Sequence, residues 1–126
     1  MRVLIADGQK DVGISLAALV ERCGHEVLLV VGSGLEAIQA YARLKPDVVL
    51  MDYSLPRFNA VIASRMILAK DPQARIVIVS AASPPPPATS LIACAILTKP
   101  VELDKLYAAL YDAGSGKPKP RSSTCS

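Results

Sequence analysis

Short runs of consecutive apolar residues alternate along this chain with longer stretches in which apolar positions recur every three or four residues. The short runs are Arg2 to Ala6, Glu26 to Val31, Asp47 to Met51, Arg75 to Ser80 and Ala95 to Thr98. They are rich in Val, Ile and Leu with little polar alternation, as in strands covered on both faces, so they predict five strands of a parallel sheet. Between them, Val12, Leu16, Leu19, Val20 and Cys23 mark one face of a first helix, which Gly24 ends as a C′ residue. Ser33 and Glu36 have capping-box spacing and open a second helix running to about Arg43. Asn59 is the predicted N-cap of a third helix that reaches Lys70, with Asp71-Pro72 closing it. Pro100-Val101-Glu102 opens a last helix through Leu103, Leu106, Leu110 and Tyr111.

Strand and helix alternating with short links build right-handed βαβ units, and so a doubly wound α/β fold. One unit breaks the rhythm. Pro84 to Pro87 stand where a helix between strands four and five should start, and four prolines cannot form a helix interior. That helix is therefore expected to be shortened or replaced by a stiff Pro-rich connector, a reading preferred to a ligand for an aromatic-lined groove. Residues 1–113 are read as one domain. Residues 114–126, rich in Gly, Ser, Lys and Pro, are read as a disordered tail or linker stub.

Composition narrows the choice. The chain has 126 residues, 52% hydrophobic and 4% aromatic with no Trp, so one aliphatic core is expected. The formal charge of +3 equals the contribution of Lys117, Lys119 and Arg121 in the tail. The body is neutral, which argues against a direct nucleic-acid surface. Apolar runs such as Val27 to Val31 fall far short of the ~20 residues of a membrane helix, and Asp7 comes too early for a signal peptide. Cys23, Cys94 and Cys125 form neither a disulfide framework nor a metal-binding pair, so no membrane role and a cytoplasmic location are expected.

In an open parallel sheet, function gathers beyond the carboxyl ends of the strands. That rule selects Asp7, Asp52, Ser80 and Lys99, each at the end of a different predicted strand. A strand-end Asp alone is more often a turn former, and a lone Lys a solvated charge. Converging on one edge, the four suggest more. A carboxylate can attack phosphorus, two acids on neighbouring loops can hold Mg²⁺, and a Lys with a hydroxyl can bind phosphoryl oxygens.

At these residues the chain resembles the receiver domain of two-component response regulators, atypical in some positions. The resemblance rests on Val3 to Asp7, Pro46 to Pro56, Ile76 to Ala81 and Lys99-Pro100, in order along about Arg2 to Asp112. It implies the flavodoxin-like strand order 2-1-3-4-5. It implies that Asp52 is the phosphoacceptor for a sensor histidine kinase or phosphotransfer protein, and that Ser80 and Lys99 are the switch hydroxyl and its paired lysine. Asp7, Asp52 and the backbone carbonyl of Ser54 would hold Mg²⁺, and the Lys99-Pro100 peptide would be cis. The output would be a conformational change read by a downstream effector protein or domain, and the family's use of its last helix for contacts admits a homodimer.

Two positions depart from the family's pattern. Gly8 stands where the family carries a second acid and metal ligand, so weaker Mg²⁺ binding is expected unless Gln9 or Asp11 compensates. Asp11 is otherwise read as the cap of the first helix. Ile96 stands at the place of the switch aromatic on strand five. Together with the proline run, these departures support an alternative: a phosphorylation-independent pseudo-receiver that serves as a protein-interaction module. An enzyme is not expected. A haloacid-dehalogenase-like phosphatase needs Asp-x-Asp where Asp7-Gly8-Gln9 stands, and His25, the one histidine, is predicted in a turn far from the strand ends. Tyr107 and Tyr111 are read chiefly as packing residues, and Tyr53 as a neighbour that gates Asp52. The absence of a helix-turn-helix after Asp112 leaves a stand-alone receiver and a fragment of a longer regulator both open.

Overall fold

The computed structural model describes residues 1–81 and 92–114. The proline run, any helix between strands four and five, and the expected tail beyond Gly114 lie outside the described residues. Five strands, β1 (Arg2–Ala6), β2 (Glu26–Val31), β3 (Val48–Asp52), β4 (Ile76–Ser80) and β5 (Ala95–Thr98), form one parallel sheet. Their order is β2-β1-β3-β4-β5, as the resemblance implied. The helices of the described residues are α1 (Lys10–Arg22), α2 (Gly34–Leu44), α3 (Ala60–Lys70) and α4 (Leu103–Gly114).

The pleat sorts the aliphatic runs into two cores. Leu4, Ala6, Val49, Met51, Ile76 and Ile78 pack under α2 and α3 with Ala37, Ala63 and Ile67. Their neighbours Val3, Ile5, Val48, Leu50, Val77 and Val79 pack on the other face with Leu16, Val20, Leu106 and Leu110 of α1 and α4. All twelve strand residues are fully buried. Each large aliphatic one contributes about 1.5–3 kcal/mol of burial, so the sheet is the anchor of the fold. β2 and β5 depart from the expected two-sided burial, because each is an edge strand flanked by one neighbour. Most of their residues are half-exposed.

The capping signals translate into bonds. Ser33 Oγ accepts the Glu36 N–H at 3.1 Å, and Glu36 Oε1 reaches back to the Gly32 N–H at 3.0 Å, one residue before the N-cap. Asn59 Oδ1 accepts the Ile62 N–H at 3.1 Å, and Gly24 takes a positive φ of 90° just past α1. Two expectations fail. Asp11 does not cap α1, because the helix starts two residues earlier, at Lys10 with Gln9 as N-cap. Asp11 lies instead in the first turn, where its charge suits the helix dipole. On α4 the buried positions are Leu106, Ala109, Leu110 and Ala113, so Tyr107 and Tyr111 fall on the outer face and are 55% and 63% exposed.

Candidate functional site

Parallel strands end their backbone hydrogen bonding along one edge, and here that edge collects the charged residues of the core. Asp7 follows β1 directly, Asp52 is the last residue of β3, Ser80 the last of β4, and Lys99 follows β5. The expected strand at Asp47 to Met51 is shifted by one, so Asp52 stands within β3 and opposite Val79 in register. Backbone bonds carry the ladder into the links: Asp7 N–H donates to Val31 O, Tyr53 N–H to Val79 O, and Lys99 N–H to Ser80 O at 2.9 Å.

Lys99 Nζ lies 3.3 Å from Asp7 Oδ2 and 3.2 Å from Asp52 Oδ1. The Asp7 side chain is fully buried, that of Asp52 is 11% exposed and that of Lys99 22%. Two carboxylates held this close in a dry site repel one another, and the shared ammonium is what makes the pair tolerable. Asp7 is also a turn former, since its Oδ1 accepts the Gln9 N–H at 2.8 Å. The bland and the functional readings of this aspartate therefore hold together: one oxygen starts α1, the other faces the site. Ser80 is buried at the same edge. Alternation along β4 sends its side chain off the opposite face of the sheet from that of Val79, the register partner of Asp52. The Lys99-Pro100 peptide is cis.

The link after β3 is tied down from outside the site. Gly34 and Leu35, at the start of α2, donate their N–H groups to Pro56 O and Arg57 O at 3.0 and 2.9 Å. Arg57 and Phe58 take positive φ values of 49° and 76° to present those carbonyls. No sequence signal of the β3–α3 link announced this clasp; Gly34 following the Ser33 cap was the one available clue. Ser54 is exposed within the link. Beside Lys99, a groove of about 530 Å³ runs between α1 and the β5–α4 link, lined by Asp11, Val12, Ser15, Lys99, Pro100 and Val101.

Oxygen is the donor type on offer here: two carboxylates and the carbonyls of the β3–α3 link. That set fits a hard cation such as Mg²⁺, which binds through one or two carboxylates while keeping waters. Among the described residues no group of three or more His, Cys, Asp or Glu side chains could hold a metal, so the edge is poor in charge. Gly8 is exposed but tight on one side, for a Cβ built on it would stand 3.0 Å from Pro56 Cδ. Cys23, Cys94 and His25 lie elsewhere. His25 Nδ1 sits 2.9 Å from the Met1 ammonium, and burial, then that charge, push the imidazole below its usual pKa range. Tyr53 packs partly against the core beneath α2 and α3. Among the described residues no helix is long and apolar enough to cross a membrane.

The model of the response regulator receiver domain family matches residues 3–111. The chain is 29% identical over 116 residues to the chemotaxis protein CheY of Listeria monocytogenes, covering 90% of this chain and 98% of that one. Over 80 residues it is 38% identical to the chemotaxis protein CheY of Thermotoga maritima, covering 64% and 67%. Among solved structures, a two-component response regulator of the LuxR family from Aurantimonas sp. matches with a TM-score of 0.83 at 27% identity, over 98% of this chain and 92% of that one. The response regulator TrrA of Thermotoga maritima, solved in complex with Mg²⁺ and BeF, matches with a TM-score of 0.82 at 21% identity, over 89% and 97%, a likeness of fold.

Proposed function

The chain belongs to the response-regulator receiver family, and on that premise we propose that Asp52 accepts a phosphoryl group from a sensor histidine kinase or phosphotransfer protein. The observation that carries this reading is the placement of Lys99 Nζ within 3.3 Å of both Asp7 and Asp52 at the carboxyl edge of the sheet. A carboxylate oxygen of Asp52 forms a bond to phosphorus while the phosphorus–nitrogen bond of the partner's phosphohistidine breaks. The phosphohistidine ring, already protonated on its other nitrogen, leaves as neutral imidazole, and an acyl phosphate remains on Asp52.

Asp7, Asp52 and the Ser54 carbonyl are the groups that would hold Mg²⁺. When bound, it neutralises charge on the phosphoryl oxygens. With Gly8 in place of an acid, that binding is weaker than a third carboxylate would allow. Lys99 pairs with a phosphoryl oxygen once Asp52 is phosphorylated, and the Ser80 hydroxyl turns inward to donate to another. The same groups would support phosphorylation by small donors and hydrolysis of the acyl phosphate by the chain itself. The output is a change of surface read by an effector, in the cytoplasm, and Ile96 supplies no hydroxyl to relay it.

Gly8, which brings no carboxylate to the site, favours a second reading, a pseudo-receiver that binds partners without phosphorylation. Transfer of label from a phosphorylated histidine phosphotransfer domain separates the two. Label should appear on the wild-type chain and be lost in Asp52→Ala. A chain that stays unlabelled in the presence of Mg²⁺ favours the pseudo-receiver.

A further inference from the structure

We propose that the outer face of α3 docks an acidic amphipathic helix of a partner protein. α3 turns Ala60, Ala63, Ser64 and Ile67 into the core. On its other side Ile62 and Met66, one helical turn apart, are 44% and 45% exposed, and Phe58, two residues before the helix, is 42% exposed. Large apolar side chains lined up in water mark an interaction site more often than scattered ones do.

Charge identifies the occupant. From Tyr53 to Lys70 the chain carries Arg57, Arg65 and Lys70 and no acid. All three cations are exposed. Residues 1–114 balance their acidic and basic side chains, so this cationic stretch is offset by an acidic excess elsewhere in the body. The acid that follows this stretch, Asp71, is engaged: Oδ2 accepts the Tyr41 hydroxyl at 2.6 Å and Oδ1 the Gln73 N–H at 3.1 Å. An apolar face edged by cations is complementary to a helix with apolar anchors and flanking carboxylates. A second copy of this chain is a poor occupant, since a two-fold contact would set these cations against their own copies. Lys117, Lys119 and Arg121 give the chain's own C-terminal segment the wrong sign as well. Anionic lipid is usually met by clusters of about 4–8 basic residues, more than this face carries. None of this depends on chemistry at Asp52.

The test pans the full chain against a helical peptide library of random sequence. Binders should be enriched in Glu and Asp beside apolar residues at helical spacing, and their amide shifts should map to Phe58, Ile62, Arg65 and Met66. Arg65→Glu and Met66→Ser, both exposed, should each weaken them about tenfold while leaving the thermal melt in place. The proposal is overturned if no acidic binder emerges, or if binders hold Arg65→Glu as tightly as the wild type. It is equally overturned if the two variants abolish self-association, or cosedimentation with phosphatidylserine vesicles, in place of peptide binding.

Discussion

Pro56 Cδ stands 3.0 Å from the point a Cβ on Gly8 would occupy. The proline ring is stiff, so an acid at residue 8 requires the β3–α3 link to give by a few tenths of an ångström. Gly8→Asp should therefore lower stability by about 1 kcal/mol. It should also tighten Mg²⁺ binding by adding a hard oxygen ligand. Adding Pro56→Ala to that variant should recover part of the loss. Thermal melts with and without Mg²⁺, and a Mg²⁺ titration, check all three statements.

Lys99 holds two carboxylates that burial would otherwise set against each other. Lys99→Met leaves Asp7 and Asp52 without their cation and should cost about 2 kcal/mol, below the usual range for a broken buried pair because the ammonium is 22% exposed. Asp52→Asn in the same chain should return much of that. Mg²⁺ should stabilise the Lys99→Met variant more than the wild type, since a cation then fills a place left empty of charge. Urea unfolding of the four chains of this cycle measures the coupling.

The clasp between α2 and the β3–α3 link depends on a hydrogen atom at Gly34. A Cβ there would land on the Phe58 carbonyl oxygen, with the Phe58 carbonyl carbon at 2.7 Å and Arg57 O at 2.9 Å. Backbone cannot rotate away as a side chain can. Gly34→Ala should destabilise by about 3 kcal/mol and shift the amide resonances of Tyr53 to Asn59, the link that Gly34 contacts.

His25 makes stability depend on pH. Its imidazole, half-buried and beside the Met1 ammonium, titrates below the usual 6.5. As pH falls through the usual value, the unfolded chain takes up a proton that the folded chain does not, so stability falls. The contribution is fully present above the unfolded value and lost on approaching the folded one. His25→Gln should flatten the change in urea midpoint between pH about 7.5 and about 5.

The parts of this fold legible in sequence are those in which local pattern and tertiary environment agree. Val48 to Met51 and Ile76 to Val79 have no polar residue because both faces are covered, and the order of such runs led to the sheet. The caps at Ser33 and Asn59 were legible because they are short-range chemistry. The half-exposure of Val27 to Val31 was not, for an edge strand uses the same residues as a central one. Nor was the bond from Tyr41 to Asp71, which joins residues 30 apart and, with burial, raises the tyrosine pKa. At the edge of the sheet, Asp7, Asp52 and Lys99 were found by the rule that strand ends carry function. Their mutual distances follow from register, which no run of residues displays. The clasp at Arg57 and Phe58 rests on positive φ values in two residues that have no special liking for them.

The central claim is that Asp52 takes up a phosphoryl group. Intact-mass measurement after incubation with acetyl phosphate and Mg²⁺ tests it most directly, with Asp52→Ala and Lys99→Met alongside. We predict one added phosphoryl group on the wild-type chain, none on Asp52→Ala, and a slower gain on Lys99→Met. An unmodified wild-type chain, or an adduct that survives in Asp52→Ala, would contradict the account.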